Sequence, residues 1–265
     1  MARKLYILLA GSLLSGVAIA ATPGSDFNYR LVLFLHQALF VFWLGPDIGV
    51  YMWSRKLTNT DITPAQRVAA GRIMPVIGLI SLACMSLMLT VGGILTELRG
   101  IEHPWWQMAG IVLLGPVWLT LVLLSYFRAG DNAGSTLVRL DIGFRWLVMI
   151  AVLVSVGIAM GDGRLADVPW VAAKLVLFAI LVSFGIIVRS RLQILAGAVD
   201  RMEASGPSPE LDSIMSAAAG RARTFMIASW VALGIAAALG TFQPGSAENP
   251  MSLENRQTTL SEITP

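Results

Sequence analysis

Charge is what this chain has least of. Asp, Glu, Lys and Arg together make up 13% of its 265 residues, where a soluble domain carries about 25%. Most of the surface must therefore face something other than water. Cysteine is nearly missing as well. Cys84 stands alone, which excludes an internal disulfide and any multi-cysteine metal or iron–sulfur centre. Set in an apolar run, it reads as a small core residue. Histidine occurs only at His36 and His103, too few for a credible serine triad. There is no HExxH pair and no phosphate-cradling glycine loop. The chain is basic, with a pI near 9.3, but its bases cluster between apolar runs. They read as loop charge beside a membrane, with no nucleic acid as a partner.

Hydrophobic residues, by contrast, make up 56% of the chain. A membrane-spanning helix needs about 20 mostly apolar residues. Seven segments qualify, roughly 5–22, 30–52, 73–95, 105–127, 144–161, 169–188 and 224–242. The expected fold is all-α, a polytopic transmembrane helix bundle of six or seven spans, forming one domain over residues 1–242. Residues 1–22 are either the first span or a cleaved secretory signal, because Arg3 and Lys4 precede an apolar stretch ending Ala18-Ile19-Ala20-Ala21. Thr63-Pro64-Ala65-Gln66 has the form of a capping box with proline at the first helical position. Residues 189–223 read as a cytoplasmic helical hairpin broken at Gly206-Pro207-Ser208-Pro209, and 243–265 as a disordered polar tail.

Loop charge gives the spans a direction. Arg3, Lys4, Arg55, Lys56, Arg67, Arg72, Arg128, Arg139, Arg145, Arg189, Arg191, Arg201, Arg221 and Arg223 fall on one side. Only Arg30, Arg99, Arg164 and Arg256 fall on the other. The positive-inside rule makes the first side cytoplasmic and puts the C-terminus outside, as expected for a multi-pass protein of a bacterial inner membrane. Trp53, Trp105, Trp106 and Trp170 lie at span ends, like an aromatic belt. Gly157 with Gly161, and the stripe Ala228, Ala232, Ala236 and Gly240, read either as close-packing faces or as ordinary small-residue content.

Ionisable residues within spans are expensive and are functional candidates by default. His36, Asp47 and Lys174 qualify, and His103 lies just before the fourth span. Phe40, Trp43 and Asp47 follow His36 at i+4, i+7 and i+11, so all four share one helical face. Lys174 and His36 each lie about 8–9 Å below the outer ends of their expected helices, at a rise of 1.5 Å per residue. Lys174 either snorkels to the headgroups or faces inward, where it needs an anion such as a cofactor or substrate carboxylate. His103 either is solvated at the interface or reaches the same pocket. Asp47, in the opposite half, reads as the partner of an arginine such as Arg72 or Arg145, or as a proton-path group. Met85 and Met88 read as core or lipid-facing residues, or as soft copper ligands.

Two segments carry a resemblance. HQALFVFWLG, from His36 to Gly45, places a tryptophan seven residues after an intramembrane histidine. PWVAAKLVLFAIL, from Pro169 to Leu181, places Trp170 four residues before an intramembrane lysine. Both resemble the HemJ-type protoporphyrinogen oxidases and the related CopD-like membrane proteins. In HemJ-type proteins the corresponding histidine and lysine are linked to haem b and to activity. The resemblance implies His36 as an axial ligand of the haem iron and Lys174 as its functional partner. Phe40, Trp43, His103 and Trp170 would complete a haem b pocket in the outer half, with His103 available as a second ligand. The expected activity is membrane electron transfer or oxidoreduction, with an electron-transfer partner or a second copy of the chain. Two other functions compete. The helix-breaking pairs Gly45-Pro46 and Gly115-Pro116 suit a copper or small-solute transporter. An assembly subunit with no chemistry of its own is the third.

Overall fold

The computed structural model describes residues 26–128 and 132–246. Among them the only regular elements are six α-helices: α1 (Asp26–Leu57), α2 (Pro64–Glu97), α3 (Trp105–Phe127), α4 (Asn132–Gly161), α5 (Pro169–Ser205) and α6 (Pro209–Phe242). All six are long and apolar enough to cross a membrane. The protein is an all-α, polytopic transmembrane bundle. The expected segment 5–22 lies outside the described residues, as do residues 247–265 of the expected tail.

The helices run up and down in two layers of three. Within the layers α1 packs on α2 and α2 on α3, and α4 packs on α5 and α5 on α6. Across them α3 meets α4, α2 meets α5 and α1 meets α6. The outside of the bundle is apolar. Phe34, Phe42, Leu147, Val154 and Val231 are all exposed, the arrangement that lipid rather than water selects. Two ends can be named without reference to a membrane: the Trp170 end, where α5 begins, and the Gly206 end, where α5 turns into α6.

The four longest helices, α1, α2, α5 and α6, outrun the bilayer most. At 1.5 Å per residue the 37 residues of α5 extend about 55 Å, against a hydrocarbon core of about 30 Å. The surplus lies at the Gly206 end, where α1, α2, α5 and α6 share a cluster that includes Leu57, Ala70, Leu195, Met202 and Met215. The turn there is set by local chemistry. Gly206 has φ 81°, a left-handed conformation that favours glycine, and Ser208 caps α6 by accepting from the Leu211 N–H. The capping box at Thr63 is present in full, with the Thr63 side chain and Gln66 bonding each other's backbone.

Proline does not break the spans. Pro46, Pro75 and Pro116 all lie inside continuous helices. Before Pro116, the Thr90 hydroxyl of α2 accepts from the Gly115 N–H (2.9 Å) and donates to the Ile111 carbonyl (2.6 Å). A side chain thus bridges a helical bond that the proline loosens. Near Pro46, Ser81 donates to the Trp43 carbonyl at 2.9 Å. The tight helix contacts fall at Gly71 against Val199, Gly93 against Ile111 and Gly115 against Thr90. The expected pair Gly157 and Gly161 is not among them, since nothing lies within 4 Å of where their Cβ atoms would be.

Candidate functional site

The intramembrane residues expected from sequence sort into two places. His36 on α1 and Lys174 on α5 come close enough to act on each other electrostatically. His36 lies across from Gly92 of α2. A Cβ at that glycine would stand 3.2 Å from the imidazole Cε1, so the ring rests against bare backbone. Its Nδ1 is buried with no hydrogen-bond partner. Lys174 lies across from Gly240 of α6, where a Cβ would stand 2.7 Å from Nζ. Two glycines on two helices therefore make the room in which these side chains sit.

Trp170 ties this pocket together. Its ring carries the Lys174 ammonium 5.6 Å from the centroid and the Arg99 guanidinium 5.5 Å from it. The indole N–H donates to Ser246 Oγ at 3.0 Å. Arg99, just past the end of α2, also donates to the Tyr29 hydroxyl of α1 at 3.0 Å. Arg99 is close enough to bear on Lys174 as a like charge. The pocket thus gathers His36, Lys174 and Arg99. Among the described residues neither Lys174 nor Arg99 is paired with a carboxylate. A half-buried ammonium beside a guanidinium is an arrangement that invites an anion.

The other expected site residues lie elsewhere. Phe40 and Trp43 belong to the central apolar cluster with Met85, Trp118 and Phe178. Trp43 is buried edge-on to Phe178, with centroids 6.2 Å apart. These two close the floor below His36. His103 is held by Glu97, whose Oε2 meets the ring Nδ1 at 2.7 Å and accepts from the His103 backbone N–H at 3.0 Å. Asp47 has neither expected arginine as a partner. Arg72 pairs with Asp200 and Glu203, and Arg145 with Asp141. Asp47 instead accepts from the Trp230 indole N–H of α6 at 2.9 Å, because the α1–α6 seam carries Trp230 at its level.

One buried group was not expected. Arg145 and Arg189 read as loop charges in the sequence, yet α4 begins a full twelve residues before the expected start at 144 and carries Arg145 into the bundle. Asp141 and Arg145 are both fully buried. Arg189 joins them from α5, and the Arg145 guanidinium lies over the Trp118 ring at 5.5 Å. The signal was present as Asp141 and Arg145 at i, i+4 on the apolar flank of a span, a spacing that places an ion pair on one face. At the Gly206 end, Arg67 is likewise buried. It donates to the Leu57 carbonyl at 2.9 Å and pairs with Asp212 at 2.5 Å, which joins α1, α2 and α6.

No family model, curated protein or solved structure matches the chain. Among the described residues no three His, Cys, Asp or Glu side chains gather as a metal site. The cluster offers an unpartnered His36 ring nitrogen and two cations, Lys174 and Arg99, that no carboxylate neutralises among the described residues, beside the Trp170 ring.

Proposed function

We propose that this chain is a haem b protein of the bacterial inner membrane, acting in electron transfer or oxidoreduction at the Trp170 end. The observation that carries the reading is Lys174: a half-buried lysine beside an intramembrane histidine, with no carboxylate among the described residues. His36 would hold the haem iron through a neutral imidazole nitrogen. Haem, when bound, supplies a one-electron couple that none of these side chains has.

The chain's own residues do the rest. Gly92 lets the His36 ring lie against α2 and so fixes its plane. Lys174 and Arg99 compensate acidic groups on the ligand, and Trp170 holds both cations over its faces. Phe40 and Trp43 close the site below and keep water from the bundle centre. The loop-charge bias supports a Trp170 end outside the cytoplasm. Moving Arg145 and Arg189 from loops into the bundle leaves that bias intact. An electron partner or a second copy of the chain would meet the protein at this end.

The experiment is an absorption spectrum of detergent-purified protein made with haem supplied. A Soret band is expected for wild type, lost in His36→Ala and weakened in Lys174→Met. Purified wild type with no Soret band, or a band indifferent to His36→Ala, overturns the reading. One observation favours a second reading, transport of a small solute or ion. Asp47 is a half-buried carboxylate in mid-span whose partner is a neutral indole, as a proton-path group would be. Solute uptake into vesicles that is lost in Asp47→Asn would support it.

A further inference from the structure

The Asp141–Arg145–Arg189 group belongs to neither reading, and its charges do not balance. Asp141 accepts from Arg145 twice, from Nε at 3.0 Å and from Nη2 at 3.4 Å. Arg189 leans on the same carboxylate at 3.5 Å, too poorly aligned for a hydrogen bond, and its Nε is buried without an acceptor. Among the described residues, the charged groups that bear on Arg189 are Asp141 and Arg145. Two guanidinium groups thus share one carboxylate inside the bundle. Leaving a buried charge uncompensated is costly, so a counter-ion stabilises such a group.

The hydrogen bonds point the same way. Three N–H donors here make no hydrogen bond to oxygen. The first is Arg189 Nε. The second is Trp118 Nε1, fully buried and unpartnered. The third is Arg145 Nη1, whose contact is the Met85 sulfur at 3.9 Å, a weak acceptor. Gly185, one turn before Arg189 on α5, brings bare backbone against the Arg145 guanidinium. A Cβ there would stand 3.6 Å from Arg145 Nη1 and 3.8 Å from the Met85 sulfur. Donors in excess, acceptors missing and a surplus positive charge describe a receptor for an anion.

We propose that Arg145, Arg189 and Trp118 form a binding site for a small inorganic monoanion of halide size. Its entrance is at the Gly206 end, past Arg189 and Ser125. Arg189 is the partly exposed member, at 16% of its side chain against 0% for Arg145 and Asp141. It donates from Nη2 to Ser125 Oγ at 3.1 Å, and Ser125 is two residues from the end of α3. The bound anion completes the charge balance among α2, α3, α4 and α5.

The test uses full-length protein in a neutral maltoside detergent, with chloride exchanged against gluconate at constant ionic strength. Thermal unfolding is followed by circular dichroism. Wild type is expected to gain several degrees of Tm in a saturable way with chloride, and similarly with bromide. Arg189→Gln removes the surplus charge, so its Tm should no longer respond to chloride. Trp118→Phe loses one donor to the anion and should need about tenfold more chloride, the equivalent of one charge-assisted hydrogen bond. That variant carries the test if Arg189→Gln does not fold. A wild type indifferent to chloride, bromide and nitrate overturns the proposal, as does an undiminished response in Arg189→Gln. Stabilisation by phosphatidylglycerol in gluconate, with none by chloride, would assign the site to a lipid phosphate and also overturn it.

Discussion

Basic side chains enter this bundle at two levels, and the two are neutralised differently. At the Trp170 end, His36, Lys174 and Arg99 gather with no carboxylate on Lys174 or Arg99 among the described residues. Toward the Gly206 end, Asp141 clasps Arg145 one helical turn away and also draws in Arg189. The second group is built mostly from partners that folding itself brings together, and it joins α4 to α5. The first leaves its cations to aromatic faces and to the Tyr29 hydroxyl that Arg99 bonds. Repulsion among like charges there costs folding free energy that no carboxylate among the described residues offsets. This contrast separates a group tied together by an ion pair of its own from a group whose cations have no carboxylate among the described residues.

The contrast breaks most visibly at Asp141. In Asp141→Asn two guanidinium groups lose the only carboxylate they share among the described residues, in a buried setting, and the expected loss of stability is about 3–5 kcal/mol. It would show as a collapsed unfolding midpoint in detergent, or as failure to recover folded protein. A midpoint near that of wild type would erase the distinction between the two levels. Next comes Arg67, buried between α1, α2 and α6. Arg67→Met removes a bond to the Leu57 carbonyl and the pairing with Asp212, and should cost about 2 kcal/mol. Faster hydrogen exchange across residues 57–67 would confirm that the loss is local. Arg72 marks the small end of the scale. It bridges Asp200 and Glu203 from α2 to α5, but its side chain is 54% exposed. Arg72→Ala should cost no more than about 1 kcal/mol, less in high salt, as for other solvent-facing pairs.

Much of the architecture was legible in the sequence because a bilayer makes hydropathy decisive. Six of the expected spans appear as α1 to α6, the capping box at Thr63 lies where the sequence put it, and the break at residues 206–209 separates α5 from α6. The extent of α4 was not legible. Its first turns carry Arg139, Asp141 and Arg145, which hydropathy discards, yet Asp141 and Arg145 satisfy each other at i, i+4 and go inside. Small-residue spacing also misled. Gly157 and Gly161 face open space, and close approach depends on what the opposing helix offers, which no single segment records. At the candidate site, shared depth linked His36 with Lys174, and the two do interact. Arg99 was not legible as a third member, because a loop residue reaches the cluster only through its contacts with Tyr29 and Trp170. The expected arginine partner of Asp47 failed for a similar reason: the nearer carboxylates Asp200, Glu203 and Asp141 had already taken Arg72 and Arg145.

The most direct test of the contrast is the unfolding midpoint of Lys174→Met, measured beside wild type in detergent with no haem supplied. Methionine keeps most of the buried stem and removes the charge. If the Trp170 end is kept for a ligand, Lys174 has no structural partner, and the variant should be as stable as wild type or more so. A fall comparable to that of Asp141→Asn would show that Lys174 is paired within the fold, and would contradict the account.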